Sequence, residues 1–364
     1  MVLADRTPDR APGVAPAPDP VRTRLTPWAT SYLAPNEHLV GTPEERAVLA
    51  ARLAAHRSCA GLDRAHPDLT FSLLPWVLDS MDDDGAGWEI FRTGVARLCI
   101  RYRELGLTGL LPIDRVWVGV RSTLPKAFGG FHYPDQGYRH RQMGAVITRY
   151  GDLASAVMAA PELVALDLLR TYAHDCLHYG TYREYRLWDG QIIRTRYGIN
   201  GRDRQGRTYS APDRPGCIST RNLGIVMEGA TDQEARGIAH WAAEGCGVAE
   251  PGPDRRLDRV AFGDITGRPV TGSAPEGRYA GAMTGYERQV GIPYRGFLRE
   301  IGAGEADTLH GLILRGMVRG RRSVVGEWLD ARHGSGAFRA LFRAGGRRLQ
   351  GQVLPSVGTS PSRR

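Results

Sequence analysis

The amino-acid sequence predicts an α+β fold whose second half carries a metal site on two helices. Three observations lead there. Long segments repeat apolar residues at helical spacing, and short runs of β-formers with Gly and Asn turn signals lie between them. Two of the helical segments carry, respectively, a His pair and an acid pair four residues apart.

Length and composition bound the answer. A chain of 364 residues suggests about two domains at ~100–200 residues each. With 42% hydrophobic and 24% charged residues it is neither collagen-like, coiled-coil nor wholly disordered. No apolar run approaches the ~18 residues of a membrane helix, so no membrane partner is expected. Residues 1–24 are Pro-rich and lack an apolar h-region, which predicts a disordered segment, no signal peptide and a cytoplasmic chain. The tail, 345–364, is Gly-, Ser- and Arg-rich and is predicted to be disordered too. Between them, 25–144 reads as a region of helices and strands, and 145–344 as a metal-binding domain with a helical C-terminal part.

The net charge of +9 raises the question of nucleic acid. Lys126 is the only lysine, however, and the arginines are interleaved with acids along the whole chain, a compositional bias rather than a binding patch. Nucleic acid is therefore not an expected partner. Cys59, Cys99, Cys176, Cys217 and Cys246 are odd in number and show no CxxC spacing, which argues against a disulfide scaffold or a Cys-rich zinc site.

The elements follow in order. Thr42-Pro43-Glu44-Glu45 has the form of a capping box with Pro at the first helical position, opening a helix to about His56. Phe91, Val95, Leu98 and Tyr102 mark a second helix over Trp88 to Leu105. Val116 to Val120 reads as a buried strand and Ala145 to Arg149 as a weaker one. A long helix is predicted from Pro161 to Tyr179. Arg186 to Tyr209 then alternates β-formers with turn signals at Asp189-Gly190, Asn200-Gly201 and Gln205-Gly206, as in a hairpin or meander. A helix returns over Asn222 to Trp241, where Gly224, Gly229 and Gly237 would let another element approach closely. Two or three more helices cover Tyr286 to Phe342.

The chemistry lies in two segments. In His174-Asp175-Cys176-Leu177-His178 the imidazoles sit one helical turn apart and can point at one ion. Ten histidines in this chain give such a pair by chance roughly 0.3 times, so a second feature is needed. It comes downstream, in Glu228-Gly229-Ala230-Thr231-Asp232. Glu228 would complete a His₂Glu zinc site with the fourth position left to water, and Asp232 is placed to accept the free ring N–H of a ligand histidine. The competing reading is a solvated acidic helix face that includes Glu234.

These segments resemble the gluzincin branch of the zincin metallopeptidases, which carry His-Glu-x-x-His and a later Glu-x-x-x-Asp. The resemblance implies a zinc-dependent hydrolase acting on a peptide or protein substrate. His174, His178 and Glu228 would be ligands, Asp232 the outer partner, Asp175 the general base, and Ala145 to Arg149 the edge strand beside the substrate. Asp175 is one methylene shorter than the family's Glu, which leaves open a metal-binding protein without hydrolysis. The family's oxyanion-stabilising His or Tyr has candidates in Tyr286 and His310.

His174-Asp175 also resembles the dyad of HD-domain phosphohydrolases, in which His140 and Asp232 would complete the site; the strands around the motif speak against that all-helical family. A third reading is a scaffold in which these residues merely bridge helices. Asp82-Asp83-Asp84 lacks the spacing of a calcium loop, and Gly129-Gly130 lacks the Lys and Ser/Thr of a Walker loop. Cys176 should face the core as a small apolar filler.

Overall fold

The structure is a computed structural model that describes residues 36–56, 69–81, 85–122, 129–131, 140–143, 160–203, 207–210, 212–268 and 286–343. The calls on 1–24, on Asp82 to Asp84, on Ala145 to Arg149 and on 345–364 lie outside them. Helix and strand are mixed, as the composition of patterns predicts, with helix predominating.

The capping box forms as read: the Thr42 amide donates to Glu45 Oε2 at 2.8 Å and the Glu45 amide to Thr42 Oγ1 at 3.2 Å, starting α1 at Pro43–His56. The sequence reading passed over β1 (Glu37–Leu39), before α1, and β2 (Leu69–Leu73) with the helix α2 (Leu74–Ser80) that directly follows it. Helix α3 runs over Ala86–Leu105 and stops at Gly106, whose φ of 76° only glycine adopts without strain. The predicted strand becomes β3 (Val116–Ser122), which joins β2, β4 (Gly129–Phe131) and β5 (His140–Met143) in the order β2-β3-β5-β4.

Helix α4 (Pro161–Gly180) is the spine of the molecule. Pro161 sits at its first turn after Ala160 in a left-handed conformation, and Leu163, Leu166, Leu168 and Leu169 are buried on more than one face. Burial of such a side chain contributes about 1.5–3 kcal/mol, so Leu166→Ala should cost ~2–5 kcal/mol. At its C-terminus the carbonyls are all claimed. Thr181 Oγ1 donates to Leu177 O at 2.8 Å, Asn36 Nδ2 to Gly180 O at 2.6 Å, and the Arg183 guanidinium to His178 O and Tyr179 O.

A hairpin follows, β6 (Arg183–Trp188) and β7 (Gln191–Tyr197), turning at Asp189 and Gly190 with φ of 48° and 73° as the Asp-Gly signal predicts. The Asn200-Gly201 signal is not a turn: the chain reverses at Gly198 and Ile199, and Asn200–Gly201 is β8. Asn200 has a place in the ladder opposite Tyr197, which overrides its turn preference. The sheet order is β1-β6-β7-β8, with β1 parallel to β6 and the rest antiparallel.

Asn222 caps α5 (Leu223–Gly245), its Oδ1 accepting from the amides of Gly224 and Ile225. Helix α6 (Arg256–Thr266), unforeseen from the sequence, packs on α5, and a π-helical turn (Glu287–Gly291) leads into α7 (Ile292–Gly302), α8 (Ala306–Arg319), α9 (Ser323–His333) and α10 (Ala337–Phe342). One apolar cluster extends from Leu74 to Phe342, with α3 packed against both α4 and α5. Among the described residues no helix is long and apolar enough to cross a membrane.

Candidate metal centre

Helices α4 and α5 pack against each other in opposite directions, and the four-residue spacings on each line up across the interface. Arg170, His174 and His178 form the stripe on α4; Glu228, Asp232 and Arg236 form the one on α5. Glu228 meets both histidines, and Asp232 meets Arg170.

The three predicted ligands converge. His174 Nε2 and His178 Nε2 are 3.0 Å apart, Glu228 Oε1 is 3.1 Å from the first and Oε2 3.2 Å from the second. Two ligand atoms bound to zinc at ~2.0–2.1 Å with tetrahedral angles stand about 3.3 Å apart. The Nε2–Nε2 edge comes within a few tenths of an ångström of that, and each imidazole lies at a similar distance from a different oxygen of the Glu228 carboxylate. Among the described residues this is the one group of three or more His, Cys, Asp or Glu placed to hold a metal. Access is one-sided: the His178 side chain is 2% exposed and His174 16%, whereas Glu228 keeps 34%.

Electrostatics follow from the crowding. Burial alone would raise the Glu228 carboxyl, but the charges of His178 and His174 and hydrogen bonds from both hold it well below the usual carboxylate range. Burial disfavours the charged form of both imidazoles. For His174 the Glu228 hydrogen bond and charge win and raise it, while His178, with His174 as a like charge beside it, is lowered. The two imidazoles are therefore shifted in opposite directions by the same carboxylate and by each other.

Asp232 corrects its predicted role. Both carboxylate oxygens go to guanidinium groups rather than to an imidazole: Oδ1 accepts from Arg170 Nη2 at 2.6 Å and Oδ2 from Arg236 Nε at 2.6 Å. Asp264 on α6 closes a ring, 3.0 Å from Arg170 Nη1 and 2.9 Å from Arg236 Nη2. Guanidinium outcompetes a neutral ring N–H because it brings full charge and several donors at once. Asp232 acts on His174 only through its field, which helps to raise that imidazole. Its carboxyl, which burial would raise, is held far below the ordinary value by Arg170 and Arg236. The acidic face is not solvated either: Asp232 is buried, and Glu234 pairs with Arg101 at 2.9 Å and with His310 at 3.3 Å.

The side chain that meets the other ring nitrogen of a candidate ligand is Tyr197 on β7, whose hydroxyl lies 2.5 Å from His178 Nδ1. With Nε2 bound to a metal ion, Nδ1 would carry the hydrogen and donate it to the phenol oxygen; with Nε2–H donating to Glu228, the phenol would donate to Nδ1 instead. The Tyr197 ring has the Arg194 guanidinium 4.2 Å from its centroid and that of Arg183 5.9 Å away. No sequence spacing marks Tyr197, whereas Arg170 and Arg236 continue the spacing of four and were within reach.

Other candidates sort themselves. Asp175 is buried at 3% exposure, and its charge is felt by both histidines although it is outside the converging set. The Tyr286 hydroxyl is buried without a hydrogen-bond partner among the described residues, close enough to Asp232 and Glu228 that, after burial, their charges push it well above its ordinary value. His310 is engaged elsewhere, Nδ1 2.8 Å from Tyr294 Oη and Nε2 on Glu234, so it is no oxyanion candidate. His140 falls on β5, where only the backbone is described. Cys176 is fully buried and burial pushes its thiol up, as suits an apolar filler. Gly229 earns its place, since a Cβ there would overlap the Tyr294 ring; Gly237 faces open space instead of a packed element.

Compared with protein-family models, curated proteins and solved structures, the chain matches none of them.

Proposed function

We propose that this chain is a zinc-dependent hydrolase of the metallopeptidase type, cleaving a peptide or protein amide. The observation that carries the reading is the convergence of two imidazole Nε2 atoms and one carboxylate at tetrahedral zinc spacing, with one side left open at Glu228. The donor set suits zinc, which takes His₂Glu in catalytic sites. When bound there, zinc supplies a Lewis acid that lowers the pKa of water toward about 7. Asp175, adjoining His174, accepts the proton of the attacking water. Tyr286, a buried donor beside Glu228 lacking an acceptor among the described residues, donates to the substrate carbonyl oxygen as charge develops there. It immediately precedes the π-helical turn, a distortion frequent at functional sites.

A second reading, metal binding without hydrolysis, is favoured by the depth at which the short Asp175 side chain is buried. The phosphohydrolase alternative loses support because Asp232, which it needs as a ligand, has both oxygens occupied by arginines. The test is metal content followed by cleavage. Purified chain should carry about one zinc, His178→Ala should lose most of it, and a peptide library read by mass spectrometry should report cleavage. Zinc retained in His178→Ala would overturn the site, and a zinc-loaded chain that cleaves nothing would select the second reading.

A further inference from the structure

The hairpin has two faces. Alternation along β6 and β7 turns Arg183, Tyr185 and Tyr197 to one side, and Glu184, Arg186, Trp188 and Arg196 to the other. On that second side, away from the metal centre, a cavity of about 420 Å³ is closed by Arg202 and Tyr209 from the segment after β8 and by Arg322 and Arg343 from the C-terminal helices.

Its charge is not balanced. Arg207 pairs with Asp203 at 2.8 Å and Arg196 with Glu184 at 3.7 Å, and these are the two carboxylates in the lining. Arg186, Arg202, Arg322 and Arg343 have no ion pair among the described residues. Arg322 is moreover held in place. Its Nε donates to Ile199 O at 2.8 Å, and its guanidinium carbon lies 4.3 Å from the centre of the Tyr209 ring. It rests where Gly201 leaves room, since a Cβ at that position would overlap the guanidinium. Its two Nη groups have no acceptor among the described residues. Burial and the like charge of Arg196 both disfavour this cation, a cost that a bound anion would offset.

We propose that this cavity binds a small phosphate-bearing anion, with Arg322 as the fixed fork and Arg186, Arg202 and Arg343 supplying the neutralising charge. A single carboxylate would leave most of the surplus charge uncompensated, whereas a pyrophosphate group neutralises several guanidiniums and fits their paired donors. The volume falls in the small-molecule range of about 300–1,000 Å³. Trp188 and Tyr209 supply aromatic wall for an organic moiety attached to the phosphate.

The site is independent of the metal, so the experiment is run on the full chain and on His178→Ala, which removes competition from zinc. Pyrophosphate and ADP are titrated by calorimetry, with Trp fluorescence as a second readout. Both chains should show saturable binding of about one anion. Arg322→Gln should weaken it about 10- to 100-fold, and Arg322→Lys, which keeps the charge and loses the fork, by less. Arg202→Gln, at an exposed position, should weaken it as well and keeps the test valid if the Arg322 variants fold poorly. No saturable binding of either anion would overturn the proposal, as would affinity unchanged in both glutamine variants. Binding of a single-stranded oligonucleotide without binding of pyrophosphate or ADP would overturn it in favour of a nucleic-acid surface.

Discussion

Tyr197→Phe isolates the hydrogen bond that sets the His178 tautomer. Phenylalanine keeps the ring beneath the Arg194 guanidinium and removes only the oxygen 2.5 Å from His178 Nδ1. His178 is fully buried, so water cannot replace the lost acceptor, and a buried donor left unmatched costs about 1–3 kcal/mol. In the apo chain the imidazole escapes part of this cost by moving its hydrogen to Nε2. Metal binding requires the hydrogen back on Nδ1, so the penalty falls on the loaded state. At about 1.4 kcal/mol per tenfold, zinc affinity should drop about 10- to 100-fold, the range typical of such partners. Competition against a chromophoric chelator at fixed pH measures both dissociation constants, and urea unfolding of the apo forms checks that the fold is unharmed. Equal dissociation constants would refute the argument, because they would mean that Tyr197 fills space and does not orient the ligand.

Asp175→Asn should keep zinc while hydrolysis falls about 10²- to 10⁴-fold in the mass-spectrometric assay; cleavage at the original rate would assign the base elsewhere. Asp232→Asn leaves two buried guanidiniums to Asp264 and, for Arg236, to Glu287 at 3.7 Å, and should cost ~3–5 kcal/mol by urea unfolding, with less than about 1 kcal/mol refuting the ring. Because the folded Asp232 carboxyl is depressed, its contribution is complete above its ordinary value of 3.8 and is lost as pH falls through the folded value; wild type should therefore lose stability in acid more steeply than Asp232→Asn. Gly229→Ala pushes a methyl into the Tyr294 ring and should destabilise by about 1–3 kcal/mol, a thermal midpoint equal to wild type being the contrary result.

The helical half of the centre is legible in the sequence because spacing alone decides which residues share a helix face. His174 with His178 and Glu228 with Asp232 need no knowledge of the rest of the chain, and the Thr42–Glu45 box is equally local. What remained hidden depends on distant pairing. Tyr197 faces His178 only because β7 takes an extra residue at Thr195, where the register shifts between Glu184 and Tyr185. The roles of Arg170 and Arg236 depend on Asp264, which arrives on a helix with no motif, in a chain where arginine is too common to signal anything. Strand β1 exists only by parallel pairing with β6 across much of the sequence, which no local pattern encodes.

The closed ring of Arg170, Asp232, Arg236 and Asp264 holds two charges of each sign and needs no cation. It therefore works as a splint between the helices. A slip of α5 by one residue would rotate Asp232 about 100° away from both arginines, and the same slip would carry Glu228 off the histidines one turn along. Whatever holds the ring in register holds the ligands in register. For the proposed metal site this would mean donors spaced before any ion arrives and kept in place after it leaves, so that occupancy would follow the supply of metal without passing through an unfolded chain.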